Sequence, residues 1–126
     1  MGITAAVNNA KKNSFSGQVD SINQLSKEIY DLNKKSTAIN TVLNKFDDLD
    51  NKILKTNDDL KEMSELLESA ADSLSDEEKD VYESLSDAGK VRYLRALKTS
   101  TDNKLHDTRD EQRKKILKLQ SKGGKN

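Results

Sequence analysis

The sequence predicts an all-α chain: a long amphipathic, coiled-coil-like helix, then a helical corner, then a basic C-terminal helix. Three observations predict it. Proline is absent from all 126 residues, so nothing removes a backbone donor in mid-helix. Apolar residues recur at alternating three- and four-residue steps from Ile22 to Leu74. A Ser-x-x-Glu signature at Ser75–Glu78, which supplies partners for orphan donors at a helix start, directly follows that run.

Residues 1–18 read as a flexible N-terminal arm. The long heptad helix is expected over 19–74. Its seam begins Ile22, Leu25, Ile29, Leu32, Ser36, Ile39, Leu43, Phe46, and seven of these eight positions are apolar. It continues through Leu49, Ile53, Thr56, Leu60, Met63, Leu67, Ala70 and Leu74. Two successive three-residue steps meet at Phe46, the pattern of a stammer, so the seam should tighten or bend there. Unbroken, Ile22 to Leu74 would make a rod roughly 80 Å long at ~1.5 Å per residue. Such a narrow apolar stripe cannot bury itself and needs a partner, either another copy or another segment of this chain. Isoleucine alternating with leucine at the first seam positions favours a parallel dimer. Val42, Leu54 and Leu66 widen the stripe and suit a larger bundle instead.

The corner is expected over 75–97. A helix opens at Ser75, presents Val81, Tyr82 and Leu85, and breaks at Ser86-Asp87-Ala88-Gly89, where glycine offers a left-handed residue. A third helix from about Lys90 presents Val91, Leu94 and Leu97. A polar, basic helix follows over 98–122, with Leu105 the only aliphatic residue up to 115, and 123–126 is expected to be a flexible tail. Formal net charge is zero, but as a sum of opposites. Residues 19–74 carry seven basic against twelve acidic side chains, 75–89 one against six, and 90–126 twelve against four. That split favours folding the basic end back along the acidic middle, within the ~10 Å reach of a charge in salt.

Leu74, Ser75, Glu77, Glu78, Lys79, Tyr82, Leu85, Lys90, Arg92 and Tyr93 stand where a high-mobility-group box has its acidic cap, tyrosine, turn and basic-x-Arg-Tyr run. The stretch therefore resembles the corner between the second and third helices of that family. The resemblance covers about 20 residues and implies a similar angle between helices. It stops short of the family's DNA-binding parts, for upstream of Leu74 there is an acidic heptad run with no proline and no tryptophan.

No constellation with catalytic or metal-binding spacing is present. His106 is the only histidine, cysteine is absent, and Asp47, Asp48, Asp50, Asp58 and Asp59 lack the spacing of a calcium loop, so no cofactor is expected. Met1-Gly2-Ile3-Thr4-Ala5-Ala6 begins like an acylation signal at Gly2, with Ala6 where serine or threonine is preferred. No apolar run approaches the ~18 residues of a membrane span, and the start of the chain is too polar for a secretory signal. An intracellular location, cytoplasmic or within a large particle, is the expectation.

The expected function is a non-enzymatic structural or assembly protein. Its heptad helix would oligomerise or dock on other subunits as a scaffold, spacer or clamp, and a viral particle is one setting that would accommodate it. The alternative is a nucleic-acid-binding protein that contacts phosphates through Arg92, Arg95, Arg109, Arg113, Lys114, Lys115 and Lys118.

Overall fold

The computed structural model describes residues 15–124. They form four α-helices and one 3-10 turn, with no strand among them. Helix α1 spans Phe15–Asp50, α2 Asn57–Ala70, the 3-10 turn Ala71–Ser73, α3 Asp76–Glu83 and α4 Asp87–Gly124. The all-α class and the long amphipathic first helix are as the sequence predicts.

Several boundaries differ. The helix expected over 19–74 is two helices separated by a six-residue turn, 51–56. The last turn of α1 carries Asp47, Asp48 and Asp50 and no basic residue, so its negative dipole end meets like charge. Just beyond, Thr56 begins a new helix with a complete capping box: its hydroxyl accepts from the Asp59 N–H (3.1 Å) while the Asp59 carboxylate accepts from the Thr56 N–H (3.0 Å). Together these end one helix and start another, where the periodicity predicts continuity with only a stammer. At the two ends, α1 begins at Phe15, inside the expected arm, and α4 includes Gly123 and Gly124, where the sequence predicts a tail. Residues 1–14 and 125–126, with Gly2, lie outside the described residues.

The corner helix opens where expected, with a capping box between Ser75 and Glu78. At 84–86 the chain turns, and α4 starts with the Ser86 hydroxyl accepting from the Gly89 N–H (3.2 Å). Gly89 lies within the helix and no described glycine has a positive φ, so its expected left-handed role is absent. A Cβ there would stand 3.3 Å from both Leu85 Cβ and Ser86 Oγ, so what glycine allows is close approach to its own turn. The separate basic helix expected over 98–122 is the continuation of α4.

The described chain divides into two compact units, and α1 and α4 each contribute to both. The unit Leu32–Asn103 holds the main core. Ile39, Leu43 and Phe46 of α1 meet Leu67 and Ala70 of α2, Ala71 of the 3-10 turn, Tyr82 of α3 and Leu94 of α4. Ile39, Tyr82 and Leu94 are fully enclosed, and burying each aliphatic side chain contributes about 1.5–3 kcal/mol. The Tyr82 hydroxyl donates to the Leu67 carbonyl (2.6 Å), one of the four that the end of α2 leaves without a helical partner. Burial, reinforced by the Asp87 charge, pushes its pKa up to about 12. Tyr93 packs tilted against Tyr82, with ring centroids 6.2 Å apart, and Lys90 Nζ sits 5.5 Å from the Tyr82 centroid. Most residues shared with the high-mobility-group corner thus cap or pack this turn.

The other unit contains residues 15–31 of α1 and 104–124 of α4. Its buried residues are Leu25, Leu105 and Thr108. Gln112 Nε2 donates to the Ile22 carbonyl (3.1 Å) and to Ser26 Oγ, and Lys115 Nζ donates to Ser21 Oγ (2.7 Å). In the Leu32–Asn103 unit Arg95 pairs with Asp47 (2.6 Å), and Ser36 Oγ donates to Asp102. In each unit the α4 number rises as its α1 partner's falls, so the two helices pack antiparallel. Arg95–Asp47 is the one ion pair joining α1 to α4 among the described residues. The fold-back that charge predicts is therefore held mainly by apolar contacts and by hydrogen bonds with at most one charged partner.

Candidate functional site

The seam residues named from sequence divide by exposure. Leu25, Ile39, Leu43, Phe46, Leu49 and Leu67 are buried, and Ile22, Ile29, Leu32, Met63 and Leu74 are half-buried. Within each unit these positions are covered by other helices of the same chain, one of the two partners the periodicity allows. Ile53 and Leu60 are not covered. Ile53 is 99% exposed, its neighbour Leu54 87% and Leu60 52%.

Ile53 and Leu54 lie in the α1–α2 turn, whose backbone is well braced, and Leu60 follows in the first turn of α2. The Asn51 N–H returns to the Asp47 carbonyl (2.9 Å), Lys55 Nζ donates to the Lys52 carbonyl (3.0 Å), and Lys52 pairs with Asp59 (2.9 Å). The N–H of Thr56, and next the ammonium of Lys52, hold the Asp59 carboxyl below its ordinary pKa. The turn is thus a preformed loop with its aliphatic side chains in water, and burying each would contribute about 1.5–3 kcal/mol. Two exposed aliphatic side chains side by side in the chain, Ile53 and Leu54, make an apolar patch of the kind that marks interaction sites more often than scattered single residues do. Asp48, Asp50, Asp58 and Glu62 surround it, all exposed and without an ion pair among the described residues.

The basic residues named from sequence are spread along α4. Arg95 is held by Asp47, and Arg113 by Asp110 one turn back (2.7 Å). Lys115 is half-buried, bonded to Ser21 and 3.7 Å from Glu111. Arg92, Arg109, Lys114 and Lys118 are exposed with no ion pair among the described residues. His106 is exposed. Among the described residues no group of three or more acidic, histidine or cysteine side chains is placed to hold a metal ion, and no helix is long and apolar enough to cross a membrane.

Sequence reasoning missed the turn because Ile53, Thr56 and Leu60 keep heptad spacing across it. The readable signal was Thr56-x-x-Asp59, a capping box with aspartate in place of the usual glutamate. It also missed the buried face of α4. Thr101 and Thr108 fill the positions between and beyond Leu97 and Leu105, so the stripe that covers α1 is half threonine. Comparison with protein families, with curated proteins and with solved structures finds no match for this chain.

Proposed function

We propose that the chain is a non-enzymatic structural part of a larger assembly, a prefolded helical piece that docks through its α1–α2 turn. The exposure of Ile53 and Leu54 on a braced turn carries this reading, since a chain that closes its core around Ile39 and Leu94 leaves its most apolar loop in water. Apart from Ile53 and Leu60, the apolar seam positions are buried or half-buried within the chain, so the stripe supports the fold and the turn supplies the docking surface. In extracts of the cells or particles that make it, the chain elutes well above its 14.1 kDa mass, and the Ile53→Asp/Leu54→Asp variant elutes as a monomer. Elution of the unaltered chain as a monomer overturns the proposal.

A second reading, nucleic-acid binding along α4, is favoured by the exposed, unpaired Arg92, Arg109, Lys114 and Lys118. It requires a band shift with duplex or single strands at about 50 mM salt that weakens steeply by about 200 mM. Binding that is absent at low salt removes it.

A further inference from the structure

We infer that the α1–α2 turn of one copy binds the outward basic face of α4 in a second copy, a head-to-tail contact that rests on the docking reading above. The two surfaces complement each other in charge and in apolar character. Residues 47–62 carry six carboxylates against three lysines around Ile53, Leu54 and Leu60. Residues 109–118 carry five basic side chains against two carboxylates. On α4, Gln112 and Lys115 are bonded to α1 and Ile116 is half-buried, which leaves Arg113, Lys114, Leu117 and Lys118 facing out. Leu117 is 56% exposed and lies three and four residues from Lys114 and Arg113, so one turn of helix presents an aliphatic side chain inside a basic frame.

Charge selects the pairing. Turn against turn would bring together two surfaces of net charge about −3, and α4 against α4 two of about +3. Turn against α4 cancels them, and the exposed Asp48, Asp50 and Asp58 then face the unpaired Lys114 and Lys118. Because the two surfaces differ, the contact is heterologous. After one contact the first copy keeps its α4 face free and the second its turn, so successive copies add in a row or close into a ring. The ionic part is screened within ~10 Å at about 0.1 M salt, so association weakens as salt rises.

The chain has no cysteine, so Leu54→Cys and Leu117→Cys each introduce a single thiol. Mild oxidation of an equal mixture of these two full-length chains, purified and at low salt, should give the 54–117 disulfide in at least roughly fivefold excess over 54–54 and 117–117. High salt should reduce that yield severalfold. Lys114→Glu/Lys118→Glu in the Leu117→Cys chain should abolish it, and Asp48→Lys/Asp58→Lys in the Leu54→Cys chain should restore it. All these positions are exposed, and unchanged helical circular dichroism confirms folding of each variant. A predominance of 54–54 or 117–117 links, yields that ignore the charge changes, or no adduct at all overturns the inference. So does a short duplex that binds α4 when no 54–117 link forms without it. If purified copies do not link while the extract species stays large, the head-to-tail contact fails and the docking reading stands.

Discussion

The two units use the same two long helices and solve burial differently. In Leu32–Asn103, the added turn, α2 and α3 cover α1 from several sides, and eight buried residues form one cluster. In the unit built from 15–31 and 104–124, α1 and α4 pack as a pair, and Leu25, Leu105 and Thr108 are the buried residues. A pair of helices encloses only a narrow strip between them. Where aliphatic cover is thin, Gln112 and Lys115 mark the register with hydrogen bonds to Ile22, Ser26 and Ser21. The first unit should therefore carry the cooperative stability, and the second should open first.

The largest expected effect tests that difference directly. Leu94→Ala removes a fully enclosed side chain and should lower stability by about 3 kcal/mol in urea unfolding, whereas Leu105→Ala should cost about 2 kcal/mol or less. Hydrogen exchange should show the Leu105→Ala loss confined to 104–124 and its α1 partner. Equal costs, or global loss in both variants, would remove the distinction.

Tyr82→Phe keeps the ring and leaves the Leu67 carbonyl without its partner, an expected loss of about 1–2 kcal/mol by thermal or urea unfolding. Thr56→Ala removes the hydroxyl that caps α2 and should cost about 1 kcal/mol, with faster exchange at the first amides of α2. In the helix pair, Gln112→Ala should cost under about 1 kcal/mol and raise exchange between 108 and 124 while the larger core keeps its protection.

The smallest effect is with pH. Burial alone would raise the Glu78 pKa, but the Lys35 ammonium at 2.5 Å and the Ser75 N–H more than offset it, so the carboxyl lies below its ordinary value. The Asp102 carboxyl is lowered by the Ser36 hydroxyl first and by Lys98 next. Both folded pKa values are depressed, so this stabilisation is present above the unfolded value and lost as pH falls through the folded one, below about pH 4. Glu78→Gln should flatten the acid limb of the melting curve against pH, and an unchanged limb would remove Glu78 from that balance.

Much of the fold is legible from residues near one another in sequence. The α1 stripe from Ile22 to Leu49, the Ser75–Glu78 cap and the helical corner are all local patterns. The end of α1 was less legible because its apolar spacing continues through Ile53 and Leu60, so periodicity alone cannot register a break. There the capping chemistry of Thr56 and Asp59 starts a new helix, and the seam residues beside it, Ile53 and Leu60, stay exposed. The inner face of α4 was hidden for a different reason. Threonine counts as polar in a two-letter pattern, yet Thr101 and Thr108 are buried, and the Thr108 hydroxyl donates to the Lys104 carbonyl within its own helix (2.7 Å). The exposed turn was the least legible part, because Ile53 reads in sequence like any other seam residue and Leu54 like one that widens the stripe.

By itself the sequence determined an all-helical chain, where α3 begins, and that the stripe on α1 must be covered by something. Propensity, capping and periodicity act within a few residues, so they can be read along the chain. Only the tertiary structure decided what covers the stripe: α2, α3 and α4 within the Leu32–Asn103 unit, and α4 alone beside the first part of α1. It also decided that Ile53, Leu54 and Leu60 remain outside. Burial depends on contacts between residues far apart in sequence, and the spacing of one helix carries no information on which distant segment returns to meet it.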